Sequence, residues 1–425
     1  MAEIMPFGAL RFTQAAGEIA ELVCPPYDII SDRQREQYLA RNPHGIIRLE
    51  LPGEGRDPYK TAGDTLRGWL DERFLACDAE DSLYIYEEIF TVRGKTRSVK
   101  GLICRVRLEP FSAGVVLPHE ETLSKAKTDR FNLMCATGCN FSSVYSLYFD
   151  RQQAIYPRVQ AISAGAPLLD FTGDDGVRHK VWQVRDPAEI GELAAAFADK
   201  KLYIADGHHR YETALNYKQH LMDTGELTDD AHPANYMMMT LVHMEHPGLT
   251  VFPTHRIVRD LEHFDVGKLL RECGKYFDIA PCLSAVVASR LEQGHRTNRK
   301  TLALYHSGQA SVLELRDPDI MRELLPGMSE AYRQLDVSIL HTLILERLLG
   351  IDKQNMAAQI NLTYTRDSKE AMAAVDQGKA NCAFILNPTK VSEIADVAGA
   401  GEKMPQKSTY FYPKLITGHV MNKIK

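Results

Sequence analysis

The chain has 425 residues and a net charge of −6, with 44% hydrophobic and 25% charged residues. That length exceeds one ordinary core and predicts two or three globular domains. The acidic balance, with no long basic run, argues against a broad nucleic-acid surface.

No apolar stretch reaches membrane-spanning length, and the first ten residues lack a basic-then-apolar leader pattern. The expected location is the cytoplasm, with no membrane partner. The eight cysteines are scattered without a Cys-x-x-Cys pair. This predicts reduced, mostly buried thiols and neither a disulfide framework nor a structural zinc site.

Residues 1–50 read as short elements broken by Pro25-Pro26 and Asn42-Pro43. Residues 57–75 predict a helix, with Tyr59, Ala62, Leu66, Trp69, Leu70 and Phe74 on one stripe. Leu83–Tyr86 and Ser98–Leu108 predict strands joined at Arg93-Gly94-Lys95. Val144–Phe149 predicts another strand. Asp186-Pro187 suits the cap and first position of a helix over 186–199.

Next comes Leu202-Tyr203-Ile204, then Ala205-Asp206-Gly207-His208-His209-Arg210-Tyr211-Glu212. The pattern predicts a strand, a tight turn and a helix N-terminus over 202–220. Such a turn aims backbone N–H groups and the positive end of a helix dipole at one point. Gly207 permits positive φ or close ligand approach. Arg210 offers a fork for phosphate oxygens. His208 shares a helix face with Glu212 and has the chemistry of a general acid or base.

A buried strand is expected at 235–245. Beyond Arg259 a separate α+β unit is expected. Its helices fall at 265–277, 335–349 and 367–377, and its strands near Thr301–Tyr305, Leu362–Tyr364 and Ala383–Leu386. The expected regions are an N-terminal α+β region over 1–150 that contributes to the active site, a phosphate-binding core over 151–260 and a C-terminal domain over 261–425.

Two further segments concentrate chemistry. Pro118-His119-Glu120-Glu121-Thr122 through Lys127-Thr128-Asp129-Arg130 supplies a general-base candidate in Glu120 and phosphate-neutralising cations in Lys127 and Arg130. Helical spacing of Glu120 with Ser124 equally allows a solvated charged helix. Met404-Pro405-Gln406-Lys407-Ser408-Thr409-Tyr410-Phe411-Tyr412-Pro413-Lys414 interleaves aromatics with Lys, Ser and Thr between two prolines and cannot be a long helix. It can present Lys407 and Ser408 to a phosphate, or pack as a terminal strand. Pro25–Asp28 and Pro253-Thr254-His255-Arg256 are smaller groups with either a structural or a functional reading. The chain lacks a P-loop, a Gly-x-Gly-x-x-Gly turn, a Gly-x-Ser-x-Gly elbow and a His-Glu-x-x-His pair.

Together these segments, with Asn42-Pro43-His44 and Ile47-Arg48-Leu49, resemble the bacterial and archaeal family of unknown function DUF1015, nearly end to end. Asp206-Gly207-His208-His209-Arg210 is also similar to the phosphate-binding turn of the ParB and sulfiredoxin-like superfamily. It is nearest there to the form found in free-serine kinases, over residues 186–216.

That second resemblance implies an α+β fold with a ParB/sulfiredoxin-like nucleotide-binding core and large additional α+β regions. It implies phosphate contacts from Gly207, His208, His209 and Arg210. It leaves Asp206 to bind a metal or to orient a histidine. The implied activity is a nucleotide-dependent phosphotransferase acting on a small hydroxyl metabolite such as L-serine, with ATP or ADP and Mg²⁺. The resemblance does not place the catalytic carboxylate; on chemistry alone Glu120 is taken as the base, with His208 and Asp206 catalytic beside it and Lys127, Arg130, Lys407 and Ser408 completing the charge clamp. The alternatives are a ParB-like nucleotide switch, and a metal-dependent hydrolase built on His119, His208, His209 and Asp206.

Overall fold

The computed structural model describes residues 1–53, 55–122 and 124–425. It is a mixed α+β structure in two units. The first comprises residues 1–118, 122–249 and 413–425, and the second residues 119–121 and 250–412.

The first unit is built on a nine-stranded mixed sheet. Its strands are β1 (Ile4–Met5), β2 (Leu83–Val92), β3 (Lys95–Arg107), β4 (Val116–Leu117), β5 (Val144–Tyr148), β6 (Leu169–Thr172), β7 (Arg178–Val184), β8 (Leu202–Asp206) and β9 (Tyr236–His243). They lie in the order β4-β8-β5-β9-β3-β2-β7-β6, with β1 beside β3. The expected 1–150 and 151–260 regions both supply strands to this sheet. The β2–β3 hairpin turns through Arg93 and Gly94, both at positive φ (51° and 74°), as a two-residue turn between right-twisted strands requires.

Strand β9 is buried along its whole length. It runs antiparallel to β3 and parallel to β5, which explains its near-continuous apolar sequence. The first unit's helices include α1 (Asp32–Arg41), α2 (Ile47–Glu50), α3 (Pro58–Asp71), α4 (Ser124–Thr137), α5 (Pro187–Phe197) and α6 (His208–Asp223).

Met237, Met239 and Leu241 of β9 pack in one core with Leu193 and Phe197 of α5 and with Tyr211, Ala214 and Tyr217 of α6. Each such side chain contributes about 1.5–3 kcal/mol on burial. A second cluster joins Leu49 of α2, Ala62, Leu66 and Trp69 of α3, and Leu133 of α4. Gly63 lets α3 approach α4 closely, since a Cβ there would stand 2.6 Å from the Ala136 carbonyl.

The predicted helix over 57–75 ends at Asp71, and the predicted helix over 186–199 is α5, capped by Asp186 through the Ala188 N–H at 2.9 Å. The helix expected from the charge pattern at 119–130 begins only at Ser124. Glu120 lies before the start of that helix.

The second unit is a six-stranded antiparallel sheet of β10 (His255–Val258), β11 (Phe277–Cys282), β12 (Thr301–His306), β13 (Gln309–Leu315), β14 (Leu362–Thr365) and β15 (Cys382–Ile385). Their order is β11-β13-β12-β15-β10-β14. Alternation along the strands divides the core. Leu302, Leu304 and Phe384 face the Asp336–Glu346 helix. Ala303, Tyr305 and Ile385 face α7 (Val287–Arg296) and α8 (Ser368–Asp376). The predicted helix at 335–349 is α-helical only to Ile339 and continues as a π-helix over Leu340–Glu346. The final helix of the unit is α9 (Val391–Gly399).

All eight cysteines are unbridged, and five are buried. No helix among the described residues is long and apolar enough to cross a membrane.

Candidate functional site

Strand β8 delivers Asp206 to the start of α6 through an irregularity in its pairing with β5. Ile204 lies opposite Ser146, but Asp206 lies opposite Tyr145. Such a slip re-aims the side chain that follows it. Gly207 then takes φ +92° as the N-cap of α6, a conformation that costs any residue with a Cβ.

The guanidinium of Arg210 folds back across this turn. One terminal nitrogen donates to Asp206 Oδ2 at 2.9 Å, and the other donates to the Ser143 carbonyl at 2.5 Å. A Cβ on Gly207 would stand 2.9 Å from Arg210 Nε. Lys414 Nζ donates to the other carboxylate oxygen of Asp206. Burial would raise the Asp206 pKa, but Lys414 and Arg210 outweigh it and hold the carboxyl down at about 2. His208 is buried beside this carboxylate and adds to that pull, and His209 is half-buried.

Arg130 of α4 anchors a second corner of the same unit. It donates to the Glu50 carbonyl at 2.8 Å and to Asp129 Oδ2 at 2.7 Å, and it lies 4.2 Å from the Tyr27 ring centre. The Glu50 carboxylate is 3.6 Å from the Arg130 guanidinium. Burial raises the Glu50 carboxyl above its ordinary value, against the opposing pull of Arg130 and Arg210. Burial also pushes the Tyr27 hydroxyl up to about 12.

The two corners meet at a cavity of about 40 Å³ lined by Glu50, Arg130, Asn140, Ser142, Arg210 and Thr213. Among the described residues, the buried Asn140 Nδ2 and Thr213 Oγ1 find no hydrogen-bond partner. Buried polar groups are ordinarily satisfied, so a polar guest of a few heavy atoms suits this lining.

Lys127 stands one turn earlier on α4. Its Nζ donates to Glu212 Oε2 at 2.8 Å, and the Thr122 hydroxyl donates to the same oxygen at 2.7 Å. It therefore ties α4 to α6 through the residue that follows His208 by one turn.

Glu120, Lys407 and Ser408 belong to the second unit. Glu120 is half-buried, and its neighbour His119 is buried, with Nε2 3.0 Å from Thr409 Oγ1. Lys407 is exposed and has φ +56°. Ser408 is buried, and its hydroxyl donates to the Pro405 carbonyl. Among the described residues, no group of three or more His, Cys, Asp or Glu side chains could hold a metal ion. Asp206, the expected metal ligand, instead presents its oxygens to Lys414 and Arg210. This donor set does not fit a protein-held metal.

The first unit thus brings together Asp206, Gly207, His208, Arg210 and Arg130, with Lys127 and His209 on the same two helices. Sequence reasoning missed Glu50, Asn140, Thr213 and Lys414 as members. Glu50 directly follows Ile47-Arg48-Leu49, and Lys414 ends the Lys–aromatic segment. Both signals were adjacent to recognised motifs, but neither residue lies near the turn in sequence.

Three distant structural likenesses bear on the chain. A conserved hypothetical protein from Pyrococcus furiosus is 14% identical, covering 76% of this chain and 95% of its own, at a TM-score of 0.35. A mutant free serine kinase in complex with ADP is 12% identical, covering 76% and 92%, at a TM-score of 0.38. SbnI with a C-terminal truncation, from Staphylococcus aureus, is 11% identical, covering 75% and 86%, at 0.33. These likenesses are too distant to assign an activity. No curated protein matches the chain in sequence. The DUF1015 model matches residues 4–338, and the chain therefore belongs to this family of proteins of unknown function.

Proposed function

We propose that the first unit binds a nucleotide through its phosphates and transfers a phosphoryl group to a small hydroxyl metabolite, with L-serine as the first candidate. The observation that carries this reading is that Glu50, Arg130 and Arg210 line one cavity, with Arg210 in the first turn of α6. Two guanidinium groups on its wall favour an anion. The similarity of Asp206–Arg210 to the phosphate turn of the free-serine kinases supports a nucleotide as that anion. In this reading, residues 151–260 carry the ParB-like core of a cytoplasmic enzyme.

Glu50 serves as the general base, because it is the acid on the cavity wall and burial raises its carboxyl above the ordinary value, making it a stronger proton acceptor. Its carboxylate takes the proton of the acceptor hydroxyl. The hydroxyl oxygen then bonds to the terminal phosphorus as the bond to the leaving phosphate oxygen breaks. Arg130 and Arg210 hold the charge that develops, the main requirement of phosphoryl transfer. Asp206 positions Arg210 and does not touch the reacting atoms. Any Mg²⁺ would arrive with the nucleotide.

The test is calorimetric titration of the full chain with ATP and ADP, with and without Mg²⁺, followed by an assay of labelled phosphoryl transfer to serine and other small alcohols. Absence of nucleotide binding defeats the reading. Binding without transfer to any acceptor leaves a nucleotide switch. Loss of transfer in Glu120→Gln with transfer retained in Glu50→Gln moves the base to Glu120.

A further inference from the structure

The second unit contains a buried arginine that, among the described residues, forms no ion pair with a carboxylate. Arg256, on β10, is 1% exposed. Its guanidinium donates to the carbonyls of Thr254, Gln406 (3.3 Å) and Lys407 (3.2 Å), and it lies 5.4 Å from the Tyr364 ring centre. These partners satisfy N–H groups but carry no net charge. Among the described residues, no acidic side chain pairs with Arg256, and its Nε has no hydrogen-bond acceptor. Burial draws the guanidinium pKa down to about 10, as expected where no anion offsets the lost hydration.

Arg256 lines a cavity of about 10 Å³ with Thr254, Asp336, Asn387, Thr389 and Ser408. That is room for one oxygen-sized atom. Glu393 also reaches this cavity, but it accepts from the Lys390 N–H at 2.9 Å and lies 3.7 Å from Lys300 Nζ. Burial raises the Asp336 carboxyl to about 7, against the pull of Lys300, so near neutrality Asp336 spends much of its time as a donor. A buried charge is costly unless it is paired.

We infer that Arg256 anchors an oxyanion site in the second unit, accepting one oxygen of a phosphate or carboxylate group carried by a small metabolite. The inference is independent of the phosphate turn at Asp206–Arg210, because it rests on residues of the other unit.

Crystals of the full chain soaked in selenate provide the test. Anomalous diffraction should place selenium where one selenate oxygen reaches Arg256 Nε. Absence of that peak overturns the inference, and a peak at Arg210 alone does so while leaving the first unit's reading intact. A second soak with excess formate separates the two sources. Loss of the selenate peak assigns a carboxylate preference, and its persistence assigns phosphate. Arg256→Met should abolish the peak, and a peak retained in that variant overturns the assignment. If Arg256→Met does not fold, Arg256→Lys should at least halve the selenate occupancy, and unchanged occupancy is equally fatal.

Discussion

Arg210 donates to the carboxylate of Asp206, four residues earlier, across a glycine that has no room for a Cβ. The turn is therefore a charged clasp. Asp206→Ala should leave the Lys414 and Arg210 cations unbalanced. Breaking one side of a buried ion pair costs about 3–5 kcal/mol. A chemical-denaturation midpoint that does not move would show that the clasp contributes nothing to the fold.

The same clasp predicts an acid limb. Asp206 is held at about 2 in the folded chain, below its ordinary value of 3.8. A depressed carboxyl contributes stability that is complete above its unfolded pKa and is lost as pH falls through its folded one. Stability should therefore drop between about pH 4 and pH 2 by more in the parent than in Asp206→Asn. Parallel curves for the two proteins would refute the assignment.

Gly207→Ala tests the turn itself. The substitution forces a Cβ into φ +92° and against the Arg210 guanidinium. The backbone cost alone is about 1–2 kcal/mol, and displacement of Arg210 should also weaken ATP binding. The outcome expected is a lower Tm together with a raised Kd for ATP. A lower Tm with unchanged affinity would separate the turn from the nucleotide.

Much of this clasp was legible in the sequence because its signals are local. A short apolar strand, a glycine and a helix start lie in consecutive residues, so Asp206, Gly207 and Arg210 could be placed together. Glu50 could not be found that way. It reaches the cavity because α2 packs against α3 and α4 through Leu49, Leu66 and Leu133, contacts between distant segments. Strand β7 escaped for another reason. Arg178, His179, Lys180 and Gln183 break its apolar pattern, yet His179 is buried by a 2.7 Å contact between its Nδ1 and the Tyr86 hydroxyl. The helix at 335–349 carried an apolar pattern that fits an α-helix, and nothing local announced the wider turn over Leu340–Glu346.

That buried histidine gives a further pH effect. His179 is lowered to about 4 by burial, from an ordinary 6.5. Below pH 6.5 the unfolded chain takes up a proton that the folded chain refuses until about pH 4. Stability should therefore decline across this window as pH falls. His179→Gln retains a polar partner for Tyr86 and removes the titration, so its decline should be shallower. An identical slope in the two proteins would exclude His179 as a contributor.

Glu50→Gln bears on the chemistry. The neutral amide keeps the shape of the side chain and removes its ability to accept a proton from the acceptor hydroxyl. Nucleotide affinity should stay within a few-fold, while kcat should fall by about 10²–10⁴. In the parent, burial raises the Glu50 carboxyl. Its base form is therefore lost as pH falls through a value above the ordinary carboxylate range, and kcat should fall with it. The acidic limb of the kcat profile should accordingly lie above pH 4.5 and disappear from the residual activity of Glu50→Gln. A limb that survives this substitution would place the proton on another group, and Glu120→Gln is then the variant that decides.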